Sequence, residues 1–124
     1  TLTARGLIGI AGRYVTNQSS RNFMSFMTQN ELRAYTYTQR TGVRALMKGK
    51  GVDAAFRHYA SKNVILSGAS KIKIIQIGSR TYGPDIVGKG LLRGYWWDIT
   101  TLKSWSVHTI KYTPRYGVGK GFFY

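Results

Sequence analysis

The sequence contains no cysteine. Disulfide cross-links and cysteine-based zinc sites are therefore excluded, and the redox compartment is left open. It also holds no run of 18 apolar residues, the length at which a membrane-spanning helix is expected. The opening stretch TLTARGLIGIAGRYV is partly apolar, but glycine interrupts it and no small-residue cleavage pattern follows, so it does not read as a signal peptide. Internal repeats and low-complexity tracts are missing as well. Scarcest of all is negative charge: 4 Asp plus Glu stand against 19 Lys plus Arg, for a net charge of +15.

That imbalance is the strongest compositional fact. A chain of 124 residues with 43% hydrophobic content fits one domain with a modest core. Solubility alone needs a net charge of only about 2–8 in magnitude. A basic excess this large implies a polyanionic partner: nucleic acid, an anionic membrane or an acidic protein. The cations are spread along the whole chain rather than gathered in a tail, which points to a folded basic surface.

Periodicity divides the domain into a mainly helical part, residues 1–62, and a sheet-bearing part, residues 63–124. Residues 19–38 read as a helix capped by Ser19 or Ser20, with Phe23, Phe26, Met27, Asn30 and Ala34 on one face. Two shorter helices are expected at 41–48, closed by GKG, and at 52–61. The period then changes. SKIKIIQIGS alternates as a strand, TYGP turns, DIV opens a second strand, KGLLRG connects, and YWWDIT forms a third. TLKSWSVHTIKYT is helical, with Leu102, Trp105, Thr109 and Tyr112 on one stripe and Pro114 at its end; GVGKGFFY supplies a last strand. The expectation is an α+β (mixed α/β) domain: N-terminal helices, a small mixed sheet and a C-terminal helix.

Two of the few acids fall in GPDIVGKGLLRGYWWDITT. Asp85 after Gly-Pro suits a turn. Asp98 is odder, because Asp is depleted in strand interiors and this one sits within an aromatic run. Alternation puts Asp98 on one face with Trp96 and Thr100. If Asp85 starts the neighbouring strand, a hairpin brings both carboxylates to one end of the sheet. Such a pair repels itself unless a proton or cation lies between them. A hard divalent ion, Mg²⁺ above all, takes ligands of this kind, and beside a basic surface it would serve phosphodiester chemistry.

The spacing Pro84-Asp85, then Asp98-Ile99-Thr100, resembles the PD-(D/E)xK nuclease core, and so implies a restriction-endonuclease-like sheet. Thr100 stands where that core has lysine, so Lys103 or Lys111 would take the charge-stabilising role. Over residues 40–120 a longer pattern resembles the C-terminal toxin domains of bacterial polymorphic toxins of the contact-dependent growth-inhibition and rearrangement-hotspot types. It comprises RALMKGKGVDAAFRHYAS, GPDIV, YWWDITT, the trio Trp105, His108 and Tyr112, and YGVGKG. This resemblance implies a nuclease delivered from a larger secreted or cell-surface effector into the cytoplasm of a target bacterium. It implies RNA, tRNA in particular, as substrate, and an acidic cognate immunity protein as inhibitor. A chain that opens without Met fits an excised domain.

The remaining polar candidates follow from these readings. His108, on the helix after the Asp-Ile-Thr element, suits general acid or base work near neutral pH. The nuclease core often draws a third carboxylate from an N-terminal helix, which makes Glu31 a candidate metal ligand beside Asp85 and Asp98. Asp53 reads as a favourable charge in the first turn of its helix. Lys103, Arg57, His58 and Arg80 are candidates for nucleic-acid contact. Of Trp96, Trp97 and Trp105, at least two belong in the core. The alternatives are a non-catalytic RNA-binding protein such as a ribosomal component, and a DNase toxin. A membrane-active toxin is disfavoured, since no helix pairs a wide apolar face with a lysine-rich one.

Overall fold

The computed structural model describes residues 3–78 and 83–124. The chain is α+β, with five α-helices and a four-stranded mixed sheet among these residues. Helix α1 spans Ala4–Asn22 and starts where the Thr3 hydroxyl accepts the Gly6 amide at 3.0 Å. Ile8, Ala11, Val15 and Ser19 form its buried stripe. The buried Thr16 and Ser19 hydroxyls donate to carbonyls one turn back, at 2.7 Å each, so neither is left unsatisfied. Glycines at 6, 9 and 12 hide this helix from a propensity reading. Gly12 is required by packing, because a Cβ there would collide with the Phe122 ring.

The single helix expected over 19–38 is in fact two. Ser19 and Ser20 lie inside α1, a 3₁₀ turn occupies Phe23–Phe26, and α2 runs Gln29–Tyr37. Thr28 starts α2 through a capping box: its hydroxyl accepts the Glu31 amide, and the Glu31 carboxylate accepts the Thr28 amide. The two helices expected at 41–48 and 52–61 are instead one, α3, Thr41–Lys62. Its internal glycines do not end it. A Cβ at Gly51 would come within 2.7 Å of the Phe23 carbonyl oxygen, so Gly51 allows the close approach of α3 to the 3₁₀ turn.

Helix α4, Val64–Lys71, was not anticipated; the Asn63 side chain caps it by accepting the Ile65 and Leu66 amides. The strand expected over 70–79 shrinks accordingly to β1, Ile75–Ile77. Strand β2 covers Ile86–Gly88, β3 Tyr95–Thr100 and β4 Val118–Phe123, and KGLLRG connects β2 to β3 through a 3₁₀ turn. Helix α5 runs Trp105–Tyr116 and carries Pro114 inside its last turn rather than stopping at it. Proline lacks an amide to donate and crowds the carbonyl four residues back, yet the helix continues to its end, where Gly117 N–H bonds the Thr113 carbonyl. Leu102, expected on the stripe of this helix, sits exposed in the 3₁₀ turn before it.

The sheet order is β1-β2-β3-β4. The first three strands are an antiparallel meander; β4 is parallel to β3, which demands a crossover, and α5 provides it. One face of the sheet, with Ile86, Trp97, Ile99 and Phe122, closes the core against Ile8, Val15, Val52 and Phe56 of α1 and α3. On the other, Trp96 packs on Trp105 and Tyr112 of α5 at ring-centroid distances of 5.4 Å. Trp96 and Trp97 are both fully buried. Among the described residues no helix is long and apolar enough to cross a membrane.

Candidate active site

Strand β2 meets β3 with Ile86 opposite Trp97. One residue further out, Asp85 faces Asp98. There the backbone ladder is replaced by a reciprocal clasp. The Asp85 amide donates to Asp98 Oδ1 at 3.1 Å, and the Ile99 amide donates to Asp85 Oδ2 at 2.9 Å. The sequence expectation of two carboxylates at one end of the sheet is therefore met. The buried Pro84 and Gly83, whose φ of 137° favours glycine, lead the chain into this position.

Period-two alternation turns Asp98 and Thr100 toward α5. His108 of α5 bridges them: Nδ1 hydrogen-bonds Asp98 Oδ2, and Nε2 lies 3.3 Å from the Thr100 hydroxyl. With Asp98 ionised, Nδ1 carries the proton and Nε2 accepts from Thr100. Burial pushes the His108 pKa down, with Asp85 pulling the other way. The imidazole is thus held neutral and oriented.

Asp53 joins them from α3. It lies in the middle of α3, not in a first turn, because the helix begins at Thr41. Asp53, Asp85, Asp98 and His108 share a cleft of about 630 Å³ whose rim includes Lys50 and Arg57. Burial, then the Asp85 charge, raises the Asp53 pKa to about 7. Burial and the neighbouring Asp98 push Asp85 well above the carboxylate range, and burial raises Asp98 also. The phenol of Tyr124, at the end of β4, is pushed up to about 12 by burial and then by Asp53. Three acids thus share a poorly solvated place where full ionisation is unfavourable without a cation.

Of the other predicted residues, Glu31 and Arg57 line the cleft and Lys111, His58 and Lys103 do not. One of the Glu31 carboxylate oxygens is engaged in the α2 cap, however, and the acid beside the pair is Asp53. Lys111 is exposed, with its ammonium 5.3 Å from the Tyr112 ring, and its charge lowers the Asp98 pKa. His58 is exposed and packs on Phe26 and Tyr59 outside the cleft, and Lys103 lies exposed in the turn before α5. Arg80 lies outside the described residues. The first-turn expectation for Asp53 fails because α3 continues through Gly49 and Gly51 instead of starting near Val52. Its signal was present: Lys50, Asp53 and Arg57 make a polar edge at helical spacing beside the apolar Val52, Ala55 and Phe56.

No family model matches the chain, and no curated protein and no solved structure matches it.

Proposed function

We propose that this chain is a metal-dependent nuclease that hydrolyses phosphodiester bonds, with RNA, and tRNA in particular, as its substrate. One observation carries the reading. A chain of net charge +15 gathers three of its four acids, with raised pKa values, around a single oriented histidine. A protein that only bound RNA would gain nothing from such a cluster, which repels phosphate.

The donor set suits Mg²⁺. Among the described residues no three acidic or imidazole groups form a protein-only metal cage. Mg²⁺ does not need one, since it is usually held by one or two carboxylates and keeps several waters. Asp85 and Asp98 would hold it, with Asp53 beside them from the helix that precedes the sheet. Such an ion supplies Lewis-acid stabilisation of the charge that builds up at phosphorus. Neutral His108, with its Nε2 acceptor toward Thr100, is placed to take or return a proton. Lys50, Arg57 and Lys111 offset the negative cleft and attract the substrate's backbone. Thr100, at the position of the usual motif lysine, orients His108 rather than adding charge.

The spacing of Asp85 and Asp98, the third acid on a preceding helix and the resemblance to polymorphic-toxin domains support a delivered antibacterial toxin. Its natural inhibitor would be an immunity protein with an acidic face, steered by opposite charge. Incubation of the purified protein with RNA and DNA, with Mg²⁺ and with EDTA, tests the reading. The expected result is cleavage of RNA that EDTA abolishes. Cleavage indifferent to EDTA would remove the metal and leave acid–base work to His108. A failure to cleave any nucleic acid would overturn the nuclease assignment.

A further inference from the structure

A second concave surface lies along α5 from the carboxylate cleft. It is a groove of about 660 Å³ between the last turn of α5 and the β2–β3 connection, with Lys89, Arg93 and Arg115 on its walls. Four of its lining residues are glycines, at 88, 90, 94 and 117. Gly94 and Gly117 have φ values of 92° and 95°, in the region that favours glycine, and a Cβ on Gly117 would strike the Gly94 carbonyl oxygen. The crossing is pinned by a hydrogen bond of 2.9 Å from the Val118 amide to the Gly94 carbonyl. A second, also 2.9 Å, runs from the Trp96 indole N–H to the Gly117 carbonyl. The three wall cations are unpaired: among the described residues none of Lys89, Arg93 and Arg115 forms an ion pair with a carboxylate. A glycine-rich lining beside three cations without carboxylate partners suits close approach of phosphate.

The groove is in line with the cleft. His108, Tyr112 and Tyr116 follow one another at four-residue steps on a single face of α5, with ring centroids 6.0 Å and 6.1 Å apart. Tyr112 lines the carboxylate cleft and Tyr116 lines the groove. Between them, the Tyr116 hydroxyl of the groove lies 3.3 Å from where a side chain on Gly83, a cleft residue, would begin. From His108 to Tyr116 the helix rises about 12 Å, the span of a few nucleotides.

We infer that this groove is a phosphate-binding subsite for the substrate strand, a few nucleotides from the bond cut at Asp85 and Asp98, with Tyr112 and Tyr116 offering rings to the intervening bases. The inference rests on the nuclease reading for the word substrate, but the groove can be tested by binding alone.

The test compares two variants that each lose three charges. Lys89→Ala/Arg93→Ala/Arg115→Ala empties the groove. Arg13→Ala/Arg21→Ala/Lys120→Ala removes exposed cations of α1 and β4 outside it. Affinity for fluorescent, non-cleavable 2′-O-methyl RNA is measured for an octamer and a dimer across salt concentrations. The groove variant is expected to lose about tenfold on the octamer, and its log–log salt slope to fall by about 2. The dimer, too short to bridge cleft and groove, should bind it as it binds the wild type. The control variant should lose less on the octamer. Equal losses for both variants would overturn the subsite and leave only net charge. An equal loss on octamer and dimer would overturn its placement away from the cleft. Should the triple variant misfold, judged by circular dichroism, Arg93→Glu alone serves the same comparison. Absence of cleavage by the wild type would count against the nuclease reading and not against the binding result.

Discussion

Two neighbouring sets of residues on β3 do opposite things. Trp97 and Ile99 face α1 and α3 and belong to the apolar core. Asp98 and Thr100, one step along the same strand, face α5 and carry hydrogen-bonding chemistry. Both sets are buried. The apolar set is held by area removed from water, while the polar set is tolerated because its groups have partners: Asp98 takes the Asp85 amide and His108, and Thr100 takes His108. The contrast teaches that burial alone does not separate core from site. What separates them is whether the buried group is satisfied by a network that leaves it reactive.

The largest effects should come from breaking this division on the polar face. Asp98→Ala and Asp85→Ala are each expected to reduce nuclease rate by at least about a hundredfold. Each change relieves repulsion between carboxylates but orphans a backbone amide, Ile99 N–H in Asp85→Ala and Asp85 N–H in Asp98→Ala, so stability is expected to fall by about 1–3 kcal/mol without loss of the fold. Rates on RNA with Mg²⁺, together with melting curves, check this; full activity in either variant would place the site elsewhere. On the apolar face the outcome should invert. Trp97→Ala is expected to cost about 3–5 kcal/mol of stability by cavity formation. Chemical denaturation measures it.

A smaller effect sharpens the electrostatics. Asp53 has a folded-state pKa of about 7 against an unfolded value of 3.8, so the native state holds the extra proton between these limits. Metal-free stability should therefore fall as pH rises from about 4 to 7, and Asp85 acts in the same direction. Asp53→Asn is expected to raise the melting temperature by about 5 °C at pH 8 in EDTA and to change it little near pH 4. An equal shift at both pH values would mean the gain is not electrostatic. Least severe should be Thr100→Val, which keeps the shape but removes the hydroxyl on His108. One lost hydrogen bond of about 1 kcal/mol corresponds to roughly a fivefold slower rate, read in the same cleavage assay.

Much of the polar arrangement is a short-range matter. Alternation along YWWDIT puts Asp98 and Thr100 on one face. A short connection brings Asp85 opposite, and the helix that follows carries His108 to the same side. Each step spans a few residues, where pattern and geometry coincide. The helical half was harder to read because its glycines imitate breaks. Gly49 and Gly51 looked like the end of a helix and lie inside α3; Gly6, Gly9 and Gly12 obscured α1. Gly12 and Gly51 are there for close approach to Phe122 and to the Phe23 carbonyl, partners far away in the chain.

By itself, then, the sequence determined the excess of positive charge, the α+β order and the opposition of Asp85 to Asp98, because composition and strand period do not depend on distant contacts. Only the tertiary structure decided that Asp53, and not Glu31, stands beside the pair. Asp53 lies 32 residues before Asp85 in the chain, and its position follows from the packing of Val52 and Phe56 into the core beneath the sheet. The pKa near 7 has the same origin, since desolvation is a property of the assembled cleft and not of any residue within it.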